Sequence, residues 1–123
     1  MPTIVHIDVP ADDVARARKF YGDLLGWTFE QPFASMEYYL FATKALDGSP
    51  GVGGGMGKRG APGQRMSCYF GVASIDEYLE KAVSLGASIV MPKMPVPGFG
   101  YLASLVDTEG NPFGLWQEDP KAR

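Results

Sequence analysis

Histidine and cysteine each occur only once, and this scarcity excludes more chemistry than the rest of the composition allows. The single cysteine, Cys68, rules out an internal disulfide and gives no support to an oxidised, secreted scaffold. It sits in an apolar, strand-like run, where a buried inert thiol is a simpler reading than a nucleophile. A basic excess is also missing. Eleven Lys and Arg stand against 14 Asp and Glu, for a net charge of −3, so the electrostatic footprint of a nucleic-acid partner is absent. No stretch approaches the roughly 18 uninterrupted apolar residues of a spanning helix. The opening residues, MPTIVHIDVPADD, carry neither the basic start nor the apolar run of a signal peptide. No membrane partner is expected, and the expected location is the cytoplasm.

What remains is a chain of 123 residues, nearly half of them apolar, which is long enough to bury one self-sufficient core. A single domain over residues 1–123 is expected, built from a plan that occurs twice. In the first copy Ile4 to Val9 alternates as a strand, with Val5, Ile7 and Val9 on one face and Ile4, His6 and Asp8 on the other. Asp12 or Asp13 then caps a helix whose apolar stripe is Val14, Ala17, Tyr21, Leu24 and Leu25, and Gly26 ends it. Trp27 to Glu30, Glu37 to Thr43 and Gly51 to Met56 supply three short strands. The second copy starts at Met66 to Val72. Ser74 and Glu77 form an S-x-x-E capping pattern ahead of a helix with Ile75, Tyr78, Leu79, Ala82, Val83 and Leu85 apolar, closed by Gly86. Strands at Ser88 to Met91, Tyr101 to Val106 and Pro112 to Gln117 follow, with a turn across Asp107 to Asn111. At one constant offset Val14 matches Ile75 and Leu24 matches Leu85. The predicted modules are 4–56 and 66–118, joined by a polar, glycine-rich linker, 57–65. Each module covers one sheet face with its own helix, so the two uncovered faces are expected to curl around a shared cleft.

The run H-x-D-V-x-x-D-D-V followed by F-Y-x-x-L-L-G-W, together with V-D-T-E-G-N-P-F-G-L-W-Q near the C-terminus, resembles the glyoxalase, bleomycin-resistance and extradiol-dioxygenase superfamily, also called vicinal oxygen chelate. The resemblance spans residues 4–118. It implies an α+β fold of two paired βαβββ modules forming a curled mixed sheet around a cleft. It also implies a homodimer, because single-chain members of this length usually pair so that each cleft can combine modules from both subunits.

Members that use a metal place one ligand in the first strand and one in the fourth strand of each module, and this pattern is what the chain departs from. His6 falls on the first ligand position. The fourth strand of that module, Gly51 to Met56, offers no carboxylate, amide or imidazole. In the second module Ser67 replaces the usual histidine and Gly114 stands where the usual glutamate would be. A non-haem iron site needs two histidines and a carboxylate, and a catalytic zinc needs about three protein ligands. Dimerisation does not change this arithmetic, so neither a metal nor another cofactor is expected.

His6 therefore keeps three readings: a hydrogen-bonded structural residue, a ligand-contacting or acid/base residue in a metal-free cleft, or a metal ligand with Asp8 as its obvious partner. Gly55, Gly57 and Gly60 satisfy G-x-G-x-x-G, but Ala61, Pro62 and Gly63 follow where a phosphate-binding helix would have to begin. The better reading of Gly53 to Gly55 is that absent side chains enlarge a pocket or let another backbone come close. Strand alternation puts Tyr69 and Trp116 on the faces of Ser67 and Gly114, while Phe70, Phe113 and Leu115 face the helices. Met56 and the turn at Phe99 and Gly100 are placed at the rim. For all of these, core or dimer packing competes with ligand contact. Pro92 to Gly100, with three prolines and two glycines, reads as an irregular connector or covering loop. The charge clusters at Lys19 to Asp23 and Asp76 to Lys81 read as solvated helix faces.

Two function classes follow. One is a binding or sequestration protein of the bleomycin-resistance kind, holding a small, largely apolar or aromatic molecule at Met56, Ser67, Tyr69, Phe99, Gly114 and Trp116. The other is a metal-independent lyase, isomerase or oxygenase-related enzyme that uses His6, with Asp8, for proton transfer.

Overall fold

Asp13 starts the first helix as its position predicts. Its carboxylate accepts the Arg16 N–H at 3.0 Å, and α1 then runs Val14–Leu25 until Gly26 turns the chain at φ 71°. A computed structural model describes residues 1–123. The remaining elements are β1 (Ile4–Ala11), β2 (Thr28–Glu30), β3 (Tyr38–Ala42), β4 (Gly54–Lys58), β5 (Ser67–Gly71), α2 (Ile75–Ser84), β6 (Ser88–Val96), β7 (Gly100–Val106) and β8 (Pro112–Glu118). This α+β order is βαβββ twice.

The chain divides into two compact units, His6–Met66 and Met1–Val5 with Ser67–Arg123. The first five residues thus join the second unit, where the Gly71 N–H donates to the Thr3 carbonyl at 3.0 Å. In the first unit the strand order is β2-β3-β4-β1, with β1 parallel to β4 and the other pairs antiparallel. The second unit repeats this as β6-β7-β8-β5, with β5 parallel to β8. A parallel pair flanked by antiparallel hairpins is what a helical crossover after the first strand demands.

In the first unit Val9, Ala11, Val14, Phe41 and Met56 form the core, and Tyr21, Trp27 and Phe41 stack on one another at 4.9 and 4.3 Å between centroids. The F-Y…G-W signature is therefore a packing device. Met56 corrects the sequence reading. It is not a rim residue but fully buried, because it pairs with Val9 and shares its helix-facing side; such burial stabilises by about 1.5–3 kcal/mol.

In the second unit Ile75, Ala103, Leu105 and Leu115 form the core, with Phe70, Phe113, Tyr78 and Leu79 packed against it. Ser74 caps α2 by accepting the Glu77 N–H at 3.3 Å, and the Gln117 side-chain oxygen accepts the Ile75 N–H at 2.9 Å. Leu24 and Leu25 at the end of α1, and Val83 and Leu85 at the end of α2, were expected in the apolar stripes but are exposed. Cys68 is half-buried.

The expected Pro92 to Gly100 connector is also corrected. β6 continues through Pro92 and Pro95 to Val96, with register breaks between Ile89 and Met91 and between Met91 and Met94. Its place at the sheet edge explains this, since an edge strand leaves one row of amides unpaired and so tolerates proline. No helix is long and apolar enough to cross a membrane.

Candidate functional site

Strand alternation in β1 sends Ile7, Val9 and Ala11 to the helix side and leaves His6 and Asp8 together on the opposite face. Alongside them runs β4, with Asp8 paired to Gly55. A β-carbon at Gly55 would fall inside the phenol of Tyr38, and one at Gly57 would come within 3.0 Å of the same ring. On the other face a β-carbon at Gly54 would collide with the Phe41 ring. The glycine strand is thus a thin partition that lets one aromatic ring lie flat on each side of it. Tyr38 crosses β4 through this gap to place its hydroxyl 3.3 Å from His6 Nε2.

This arrangement decides between the two readings of the glycine run. The absent side chains do not leave an empty pocket over Gly55 but admit a tyrosine from β3. Sequence reasoning missed Tyr38. The available signal was an aromatic residue antiparallel to glycine across two strands, a pairing in which the ring covers the bare backbone.

Burial shifts both acid–base equilibria. It lowers the His6 pKa from 6.5, favouring the neutral imidazole, and raises that of the Asp8 carboxyl from 3.8, favouring its protonated form. A neutral imidazole bonded to a phenol, with a carboxyl that resists ionisation on the same strand face, can hold or move one proton. The donor set does not fit a metal centre. His6 is the only imidazole, β4 alongside it carries no carboxylate, amide or imidazole, and nowhere do three His, Cys, Asp or Glu residues gather.

In the second unit the predicted residues take analogous places. Tyr69 pairs with Gly114, and a β-carbon at Gly114 would fall inside the Tyr69 ring, so Gly114 is covered rather than open. Trp116 packs its indole toward Gly100, where a β-carbon would lie 2.8 Å from the ring. Ser67 is half-buried at the start of β5, and Phe99 is exposed in the turn between β6 and β7. Phe70, Phe113 and Leu115 face α2 as alternation predicts. The G-x-G-x-x-G glycines lie in β4 and the following loop, and the next helix begins only at Ile75, so they form no phosphate cradle.

Comparison with known proteins gives distant relatives and a shared fold. Residues 3–43 match the model of the bleomycin resistance protein-like N-terminal family, a span that contains His6, Asp8 and Tyr38. Over 114 residues, 90% of this chain, the sequence is 25% identical to CFP32 of Mycobacterium bovis, named as a glyoxylase. The chain spans 44% of that relative's length. Among solved structures, a glyoxalase/bleomycin resistance protein/dioxygenase superfamily member from Vibrio splendidus superposes with a TM-score of 0.65 at 16% identity, covering 97% of this chain and all of that one. The Mn(II)-bound glyoxalase of Novosphingobium aromaticivorans superposes with a TM-score of 0.66 at 15% identity, covering 99% of this chain and 41% of that one.

Proposed function

We infer the function of this chain from its membership of the glyoxalase, bleomycin-resistance and extradiol-dioxygenase superfamily, taken together with the donor set around His6. The chain is a metal-independent binding protein of the bleomycin-resistance kind. It holds a small, largely apolar or aromatic molecule against the helix-free face that carries His6, Asp8 and Tyr38. One observation carries this reading: the fourth strand offers no metal-binding side chain, and its Gly55 admits the Tyr38 ring, which hydrogen-bonds the chain's one imidazole. The site thereby joins the Tyr38 ring to the polar groups of His6, Asp8 and the phenol, which suits selective binding better than Lewis-acid chemistry. Ser67, Tyr69, Phe99 and Trp116 are the second unit's own proposed ligand contacts. The working form is a homodimer, and the location is cytoplasmic.

A second reading has its own support. The His6 to Tyr38 hydrogen bond and the burial that keeps Asp8 toward its protonated form suit proton transfer, and hence a metal-independent lyase, isomerase or oxygenase-related enzyme.

Calorimetric titration of chelator-treated protein with a panel of small, uncharged aromatic molecules tests the first reading. Binding at micromolar or lower Kd, weakened at least tenfold by Tyr38→Ala, is expected, and no heat up to millimolar ligand contradicts it. Elemental analysis of untreated protein is expected to find no stoichiometric iron, zinc, manganese or nickel. A metal that His6→Ala removes would overturn the metal-independent reading. For the dimer, a light-scattering mass of 13.3 kDa at micromolar concentration is the contrary result.

A further inference from the structure

A concavity lies within the first unit, where the start of α1 faces the loop that follows β4. Its volume is about 590 Å³, within the range of small-ligand pockets, and none of His6, Asp8 or Tyr38 lines it. The loop wall is held in place. The Arg59 guanidinium bonds Asp12 at 2.9 Å and also donates to the Gln64 carbonyl, the Arg59 N–H donates to the Ala11 carbonyl at 2.9 Å, and the Gly60 N–H donates to the Gln64 side chain at 2.6 Å.

The charges in this concavity are unequally satisfied. Asp12 is paired by Arg59, and Asp13 is engaged by the first turn of α1. The guanidinium groups of Arg16 and Arg65 line the same space and make neither an ion pair nor a side-chain hydrogen bond. Three guanidiniums thus face two carboxylates, and both carboxylates are already taken. Ala17, Phe20 and Met66 line the concavity with the two unengaged arginines, Phe20 56% and Met66 52% exposed. Large apolar side chains left to water beside unused planar forks have the form of a receptor for an apolar body bearing a carboxylate.

We propose that this concavity is a binding site for small aromatic carboxylates, with Arg16 and Arg65 taking the anionic head and Phe20 and Met66 the ring. It stands independently of the proposed function at His6. The test uses 2-naphthoate and its uncharged counterpart 2-naphthylmethanol, titrated into ¹⁵N-labelled full-length protein. Naphthoate is expected to shift the amides of Arg16, Phe20, residues 59–61 and residues 63–66, and to bind at least tenfold more tightly than the alcohol. An R16Q/R65Q double variant is expected to abolish that preference. Neither side chain has a protein partner, so an unchanged spectrum of the free variant verifies its fold. Phe20→Ser weakens both probes, while Tyr38→Ala leaves naphthoate binding intact. Equal affinity for the two probes, shifts confined to other residues, or full naphthoate affinity in the double variant would each overturn the proposal.

Discussion

The two units solve one problem with different residues. Each places a glycine in its last strand beside the strand that opens the unit, Gly55 next to Asp8 and Gly114 next to Tyr69. Each covers that glycine with a tyrosine ring. In the second unit the ring comes from the directly paired residue, Tyr69, and the opening strand contributes Ser67 and an aromatic. In the first unit the ring arrives from β3, on the other side of the glycine, so β1 keeps both a histidine and an aspartate on that face. The same topology therefore yields a polar, proton-bearing face in one unit and a mainly aromatic one in the other. Where a side chain originates decides the chemistry, even when the space it fills is equivalent.

Substituting the two glycines breaks this comparison most severely. Gly55→Val and Gly114→Val each force a ring off the sheet, and each is expected to lower stability by roughly 2–4 kcal/mol, as overpacking and strain do in well-filled sites. Urea unfolding measures both. If Gly55→Val costs much less than Gly114→Val, Tyr38 is not held over β4 as described.

Tyr38→Phe keeps the ring and removes the hydroxyl that bonds His6. It is expected to cost about 1 kcal/mol and to move the imidazole resonances of His6, which are unambiguous in a chain with one histidine. Unmoved His6 signals would separate the two residues in solution.

Asp8→Asn is expected to stabilise by up to about 1 kcal/mol at pH 7. The folded pKa of Asp8 is raised, so folding is disfavoured by its burial only where the unfolded chain ionises it. The gain should accordingly vanish below the ordinary value of 3.8. A stabilisation that persists at pH 3 would place its origin elsewhere.

The smallest expected effect is a pH dependence with the opposite sign. The folded pKa of His6 is depressed, so its contribution is complete above the ordinary value of 6.5 and lost as pH falls below it. Wild type should lose slightly more stability between pH 7 and 5 than His6→Gln, as read by thermal unfolding across that window. Parallel curves would show an imidazole in contact with water.

Local chemistry made much of this molecule legible from the chain alone. Asp13 and Ser74 cap their helices, Gly26 and Gly86 follow the helix ends with positive φ, and alternation assigns Phe113 and Leu115 to α2. Parity failed where side chains were missing. In a run of glycines nothing marks which face a residue takes, so β4 was placed at Gly51 to Met56 rather than Gly54–Lys58, and Met56 was assigned to the rim instead of the core. Pro92 and Pro95 disguised β6, because proline signals a loop unless the strand is known to lie at an edge. Leu24 and Val83 have the right helical phase, yet phase does not reveal where a sheet stops covering its helix. Tyr38 was hidden for another reason. Its meaning depends on a glycine and a histidine that only strand pairing brings to it, and no local pattern carries that.

The central claim is that the first unit's polar face works through a lone imidazole bonded to Tyr38 and not through a bound metal. It is tested most directly by following the His6 imidazole ¹⁵N shifts while one equivalent of Zn²⁺ is added to chelator-treated protein. The account predicts that they stay where they were, with the Tyr38 contact intact. A saturating, stoichiometric shift at His6 would contradict it.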